Sequence, residues 1–380
     1  MRDRRVQQRV TVVLGIVLAI AMGASLMLPL LQQLGVNAAP PAVQPTDVPP
    51  PTQPPPIADL SSIRFEEPYL HPTGLFTAVV PSGWSATNEA TTANEARVTF
   101  NNAAQLSVVE MRVIEPTGDL PLDSVEDLHN VFTNTWLQQS WSSYTSWDED
   151  ARRIEGAEMI LDFSLERLGQ EFIARQVSFT DGTWVYSLRV VTPSNASQML
   201  QFVLNNVRAS FQPVEAYVGT PLDWSAYFDN DAKHLIRYPD SWTLTDSAPG
   251  APTSIAGSEG NLRVETIEVP VDSADAARAW VQQARPGADV VSVEEFESLG
   301  GIPGYRVAYQ LRNLDGATES GLAVLLNAGG SAHVANMLLS ESGIQDLNAD
   351  ELPEAVSSFV ATLETFALFP DLQIGNPSVE

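Results

Sequence analysis

The 380-residue sequence contains no cysteine. That absence excludes disulfides, thiolate nucleophiles and zinc–thiolate sites, and it leaves no residue to carry a lipoprotein anchor. Any folded part outside the cytoplasm must therefore hold together by its packed core alone. Lysine is nearly absent as well: Lys233 is the only one, so arginine supplies almost all positive charge. The four histidines are His71, His129, His234 and His333. No two of them stand at metal-ligand spacing, and neither HExxH nor GxSxG occurs. The expectation is a protein that is not an enzyme and needs no cofactor and no metal.

Positive charge is scarce in a more general sense. Lys plus Arg is 20 against 47 Asp plus Glu, a formal net of −27. Arg2, Arg4, Arg5 and Arg9 crowd the first nine residues, and without that segment 16 basic residues face 46 acidic ones. Such a surface repels phosphate backbones, so nucleic acid is not an expected partner. The acidity itself reads as a solubility device.

Long apolar runs are missing except for one. Val10 to Leu31 carries no charge, and its 22 residues make a helix of about 33 Å, enough for a hydrocarbon core of about 30 Å. With the arginines before it, residues 1–9 read as a cytoplasmic basic segment and 10–32 as a single-pass signal-anchor helix, the rest lying outside the cytoplasm. A cleaved signal peptide ending near Val36-Asn37-Ala38 is the competing reading. Residues 33–59 read as a disordered, proline-rich linker. Between 40 and 56, nine of 17 residues are proline, which suits a semi-rigid spacer of about 3.1 Å per residue.

Beyond the linker the chain repeats itself. FTAVVPSGW (76–84) aligns with HLIRYPDSW (234–242), placing Pro81 on Pro239 and Trp84 on Trp242. Trp136-Leu-Gln-Gln139 aligns with Trp280-Val-Gln-Gln283, and Gly156 with Gly301. Asp148, Glu149 and Asp150 lie near the place of Glu294 and Glu295, and both stretches close near a phenylalanine, Phe211 and Phe366. A repeat of this length is a duplicated domain and not a solenoid unit. The domains are therefore 60–214 and 215–370, with 371–380 as a flexible tail.

Periodicity predicts the same elements in each copy. A short strand ends at Pro81 or Pro239, because proline has no ladder donor. Strands follow, with Leu106–Val113 among them. A helix is expected after Asp123 or Ser124, with Val125, Leu128, Val131, Phe132 and Trp136 on one face, and its counterpart is capped by Ser273. Then come three strands, 158–166, 172–179 and 183–191, the last two joined by a two-residue turn at Asp181-Gly182. A closing helix is expected to begin at Pro193-Ser194, and in the second copy near Asn348. The fold class is α+β: two tandem α/β/α sandwich domains, each a mainly antiparallel sheet with helices on it.

The order of short strand, Pro-x-x-Trp, strands, helix, meander and helix resembles the PsbP-like (PsbP/Mog-type) superfamily. The residues that carry the resemblance are FTAVVPSGW and HLIRYPDSW, and it extends over 60–214 and 215–370. It implies tandem PsbP-like domains of a bacterial membrane-anchored extracytoplasmic protein, acting in binding or assembly. No motif here carries over a photosystem or Ran-binding role. The partner is an unidentified envelope protein or ligand. An alternative is a receptor module holding a small ligand in a groove between the copies.

Several stretches invite functional readings. Gly300 to Gly304 is read as a bend and not a phosphate loop, since a strand follows it. Asp229-Asn230-Asp231 lacks the remaining features of a calcium loop and is read as an acidic turn. Trp141, Tyr144 and Trp147 stand three apart in a polar stretch, a pattern that can form a partner surface. The preferred alternative has them covering the sheet where the helix returns to it. The acidic runs Asp148–Asp150 and Glu294–Glu295 suit a cation, a basic partner, or charged edge strands that discourage aggregation.

Overall fold

Alternation decides the short strands. In FTAVV, Phe76, Ala78 and Val80 are buried and the residues between them half-buried, the period of two that a one-sided strand requires. HLIRY breaks that rule, because all of its residues are buried. The reason lies in tertiary structure. The computed structural model describes residues 60–372 except 89–90, 119, 248–249, 313–315, 341–343 and 350.

The first half contains β1 (Glu67–Leu70), β2 (Phe76–Val80), β3 (Ser85–Asn88), β4 (Glu95–Asn102), β5 (Ser107–Ile114), α1 (Leu128–Val131) and α2 (Asn134–Ser140). It continues with β6 (Ser146–Glu155), β7 (Glu158–Arg167), β8 (Gln170–Thr180), β9 (Val185–Pro193), α3 (Ser197–Ser210) and β10 (Gln212–Pro213). The second half contains β11 (Ser225–Phe228), β12 (His234–Tyr238), β13 (Thr243–Asp246), β14 (Thr253–Ala256), β15 (Gly260–Ile267) and α4 (Ala274–Ala284). After these come β16 (Asp289–Glu297), β17 (Pro303–Arg312), β18 (Thr318–Ala328), β19 (Ser331–Leu339), α5 (Glu354–Glu364) and β20 (Ala367–Leu368).

Sheets dominate both halves. The large sheets run β3-β4-β5-β9-β8-β7-β6 and β13-β14-β15-β19-β18-β17-β16, and the small ones β1-β2-β10 and β11-β12-β20. The second set repeats the first strand for strand. In each large sheet two antiparallel meanders meet at a central pair, β5 with β9 and β15 with β19. A bulge recurs at the same rung of each edge strand. Glu149 faces Phe163 and Ala151 faces Asp162, leaving Asp150 out of register, and Val290 faces Tyr309 while Ser292 faces Ala308, leaving Val291 out. These bulges fix which residues correspond across the halves.

Helices cover both faces of the first large sheet. Met199, Leu200, Val203, Leu204 and Val207 of α3 pack on one face. Leu128, Phe132, Leu137 and Trp141 of the α1–α2 stretch pack on the other. In the second half Ala277 and Val281 of α4 take the second role, and Val360 and Leu363 of α5 the first.

Local details differ from the sequence reading. The helix expected from Ser124 is interrupted. Phe132 leaves helical geometry (φ −87°, ψ 60°), and Thr133 starts α2 by accepting a hydrogen bond from the Trp136 amide. The meander has four strands and not three, since Ser146–Glu155, which holds the acidic run Asp148–Asp150, forms the edge strand β6. Asp181-Gly182 makes no two-residue turn. Thr180 pairs with Val185, and Asp181 Oδ1 accepts from the amides of Thr183 and Trp184, each at 2.8 Å. The carboxylate thus organises a four-residue loop. At the corresponding place in the second half, Gly329-Gly330 does make a two-residue turn, with φ 62° and 85° closing the pair Ala328 and Ser331, as a primed turn needs. Pro193 ends β9 and α3 starts only at Ser197, while α5 starts at Glu354 and not near Asn348.

The small second sheet lies against both halves. Leu235 belongs to the first-half core, whereas Ile236 and Tyr238 belong to the second. Successive β12 residues point to opposite faces, so a strand wedged between two cores is buried throughout. The turn before β2 presses on β11: the Ala226 amide donates to the Pro72 carbonyl at 2.7 Å. A Cβ added at Gly74, whose φ is +75°, would lie only 2.9 Å from the Ala226 Cβ. The connecting segment is itself core, with Tyr217 and Leu222 buried.

Among the described residues, no helix is long and apolar enough to cross a membrane. The anchor expected at 10–32, the linker at 33–59 and the tail beyond Leu372 lie outside the described residues.

Candidate functional site

The repeated W-x-Q-Q stretch sits on corresponding helices, Trp136–Gln139 on α2 and Trp280–Gln283 on α4. Both tryptophans are half-buried. Beside each, a cleft opens between the helix and the central strand β5 or β15. Glu95, Ile114, Trp136 and Gln139 line the first, of about 360 Å³. Arg263, Ile267, Trp280, Gln283, Arg285 and Asn336 line the second, of about 720 Å³. The second falls in the size range of small-molecule sites. Each cleft belongs to one half.

The difference in size follows from corresponding residues. Strand register matches Glu110 with Arg263, Arg112 with Glu265, Arg189 with Asn336 and Phe163 with Tyr309. Counting along the helices from the matched tryptophans, Ser140 corresponds to Ala284 and Trp141 to Arg285. Trp141 and Arg285 are each the residue that ends its helix. In the second half the helix thus loses an indole and a hydroxyl.

Those groups close the space in the first half. Arg189 stacks its guanidinium 4.0 Å from the Trp141 ring centre and holds Glu110 Oε1 at 2.6 Å. Arg112 donates from Nε to the same oxygen at 2.7 Å. Ser140 Oγ accepts from Arg189 Nη1 at 2.7 Å and from Arg112 Nη2 at 3.4 Å, tying the helix to the sheet. Burial opposes ionisation of Glu110, yet Arg189 and Arg112 outweigh it and hold the carboxyl at about 2. Burial lowers Arg189 to about 10, with Glu110 acting against it.

The second cleft is built differently. The Tyr309 hydroxyl donates to Asn336 Oδ1 at 2.7 Å, and Arg285 reaches the same hydroxyl. Arg263 Nη2 donates to Glu265 Oε2 at 3.0 Å, with the Arg263 side chain 45% exposed. The lining thus carries two guanidinium groups and one carboxylate. Ile267, Pro270, Val271 and Ala279 make the apolar remainder.

Of the aromatic trio, Trp141 is buried and Tyr144 and Trp147 are half-buried. Trp141 is only 1% exposed. Its ring packs edge-on to Phe163 at 5.0 Å and to Tyr144 at 5.5 Å. Trp147 meets Phe163 at 6.4 Å. Trp141 thus covers the sheet where the helix ends, as the preferred reading of the stretch had it. The acidic runs both fall on edge strands but at different rungs. Asp148–Asp150 flanks the bulge, with Glu149 held by Arg152 at 2.8 Å and Asp150 accepting from Ser164 at 2.7 Å. Glu294 and Glu295 lie further along β16, opposite Arg306 and Tyr305. They are not counterparts.

The Pro-x-x-Trp anchors make one turn twice. The Trp84 amide donates to the Pro81 carbonyl at 3.2 Å and the Trp242 amide to Pro239 at 2.9 Å. Both indoles are buried. Trp242 stacks on Phe359 at 5.6 Å and lies over Gly257, where a Cβ would sit 2.3 Å from Nε1.

The structure brings two histidines together, His234 and His333, with ring centres 5.9 Å apart. Burial pulls His234 down to about 4, with Asp229 opposing and His333 assisting. Both of its ring nitrogens are buried without a hydrogen-bond partner. His71 is alone and buried, lowered to about 4 chiefly by burial, and shares a 2.7 Å hydrogen bond with Thr73 Oγ1. His129 is exposed. Asp229 Oδ1 accepts from the Asp231 and Ala232 amides, each at 2.9 Å, so it organises a turn. No group of three or more metal-ligating side chains occurs among the described residues.

Sequence reading picked out Trp136 and Trp280 as repeat anchors but did not find the clefts. The available signal was the set of exchanges around them, above all Trp141 with Arg285.

No protein-family model matches the chain, and no curated protein matches it. Among solved structures, it is similar to cyanobacterial PsbP (CyanoP) from Synechocystis sp. PCC 6803 at 17% identity and a TM-score of 0.30, over 40% of this chain and 96% of that one. A protein of unknown function from Pseudomonas aeruginosa, described as a putative regulator, is similar at 14% identity and a TM-score of 0.24, over 39% and 98%. The immunity protein TplEi of T6SS from Pseudomonas aeruginosa is similar at 10% identity and a TM-score of 0.22, over 80% and 96%.

Proposed function

We propose that this chain is a non-catalytic binding or assembly protein of the bacterial cell envelope. It is tethered by residues 10–32 with its N-terminus in the cytoplasm. A proline-rich stalk holds two tandem PsbP-like domains, each an α/β/α sandwich, outside the membrane.

The observation that carries the binding role is the recurrence of one cleft beside one motif, with W-x-Q-Q lining both copies. The lining of the larger cleft supports binding over catalysis. Its lining side chains include no thiol or imidazole, the Tyr309 hydroxyl beneath it is engaged by Asn336, and its carboxylate, Glu265, is engaged by Arg263. A general base or nucleophile would need a freer group within reach of substrate.

Native mass spectrometry of the full chain released from the membranes of its own cells tests this. The expected result is a co-purifying species that is lost in Ala279→Phe, which fills the cleft, and kept in Asp150→Asn on the edge strand. A species retained by Ala279→Phe would move the binding role away from the cleft.

A further inference from the structure

The geometry points to a small aromatic carboxylate, carrying one negative charge, as the ligand of the second-half cleft. This inference rests on the binding role proposed above and names the ligand class.

The first half displays the chemistry in covalent form. An indole (Trp141), a carboxylate (Glu110) and a guanidinium (Arg189) are assembled between helix and sheet, with the guanidinium 4.0 Å from the ring centre and 2.6 Å from the carboxylate oxygen. Ring, anion and cation satisfy one another in a space closed to water.

At the corresponding positions the second half has exchanged the ring and the anion for cations. Arg285 ends the helix where Trp141 does, and Arg263 occupies the rung of Glu110. Asn336 replaces Arg189 and is engaged by the Tyr309 hydroxyl. The result is a cavity of about 720 Å³ with no ring in the place of Trp141, whose lining carries two guanidinium groups, Arg263 and Arg285, and one carboxylate, Glu265. The charged side chains of the lining sum to one positive charge, in a chain whose net charge is −27.

A ligand that restores the arrangement brings a flat ring and one carboxylate. Its ring lies beside Trp280 and Ala284, at the end of the helix where Ser140 and Trp141 stand in the first half. Its carboxylate meets Arg263 and Arg285. A second negative charge would find only Glu265 at that end, and a neutral ring would leave the excess cation unpaired.

Isothermal titration calorimetry on the full chain in lipid nanodiscs, with indole-3-acetate and its neutral analogue indole-3-acetamide, tests the inference. The expected result is one site for the acid, bound at least about tenfold tighter than the amide. Arg263→Gln, at a half-exposed position, should bring the acid down to the level of the amide and leave the amide unchanged. Ala279→Phe should remove binding of both, with near-ultraviolet circular dichroism confirming that the variant is folded. Equal affinity for acid and amide, no binding of the acid at about 1 mM, or an acid preference that survives Arg263→Gln would each overturn the inference. If the native co-purifying species still disappears in Ala279→Phe while indole-3-acetate does not bind, the ligand class is wrong and the binding role stands.

Discussion

The Arg237 guanidinium donates from Nε to the Thr73 carbonyl oxygen at 2.6 Å, joining residues 164 positions apart. The same side chain donates to the Pro221 carbonyl at 2.5 Å and to the Thr220 hydroxyl, and its backbone amide donates to Thr365 Oγ1 at 2.8 Å. Arg237 is fully buried, and burial lowers it to about 10, so it remains charged at neutral pH. Oxygens from the first half and the connecting segment thus converge on one cation in β12. A planar group with five donors suits that task and an ammonium does not.

Arg237→Met should cost about 2–4 kcal/mol, because it leaves several buried acceptors without donors. Arg237→Lys should recover little of the loss. Urea unfolding followed by tryptophan fluorescence measures both. A single transition in the parent that splits into two in Arg237→Met would locate the damage at the junction of the halves, while a change below about 0.5 kcal/mol would refute this account.

Glu110→Gln should destabilise the first half by about 3–5 kcal/mol, since it leaves Arg112 and Arg189 buried around a neutral amide. The parent should also lose this contribution in acid. A carboxyl held at about 2 when folded, against about 4.5 unfolded, contributes fully above pH 4.5 and progressively less as pH falls towards 2. Urea midpoints in that window should fall more steeply for the parent than for Glu110→Gln.

His234 adds a second slope at higher pH. Its folded value of about 4 lies below the ordinary 6.5, so the unfolded chain takes up its proton first on acidification. Its neutral burial is therefore fully tolerated above pH 6.5, and stability falls as pH drops from 6.5 to 4, by up to about 3 kcal/mol. His71 should behave alike. His234→Phe keeps a ring of similar size and removes two unpartnered nitrogens. It should reduce the slope between pH 6.5 and 4 to the part that His71 contributes, without loss of stability at pH 7.5, as thermal melts across that range would report.

Gly321→Ala should disturb the floor of the larger cleft. A Cβ there would lie 2.1 Å from Cζ of Tyr309, its partner across the ladder. The ring must tilt and its hydroxyl must leave Asn336, at a cost of about 1–3 kcal/mol. Urea unfolding gives the cost, and the tyrosine signal in near-ultraviolet circular dichroism gives the displacement.

Much of the local order follows from the residues alone. Proline without a donor had to end β2 and β12, and Ser273 had to cap α4 because its hydroxyl meets the Ala276 amide. Alternation specified most strands, since a sheet with a buried face demands it. It did not specify β6, whose charged, half-exposed edge carries no such pattern. Nor did it specify the break at Phe132, where apolar spacing continued across a turn that Thr133 recaptures.

Tertiary structure alone decided the rest. Tryptophans 141 and 136 look alike in sequence, yet one is buried beneath a guanidinium and the other borders a cleft, because the angle at which the helix ends sets which way each points. The cleft exists through what is missing opposite it, and a missing side chain is visible only once strand register says which residues correspond. Burial on both faces of β12 likewise depends on a second core 158 positions earlier in the repeat. Short-range chemistry fixes where elements begin and end. Which face meets which neighbour is settled only when distant segments share one volume.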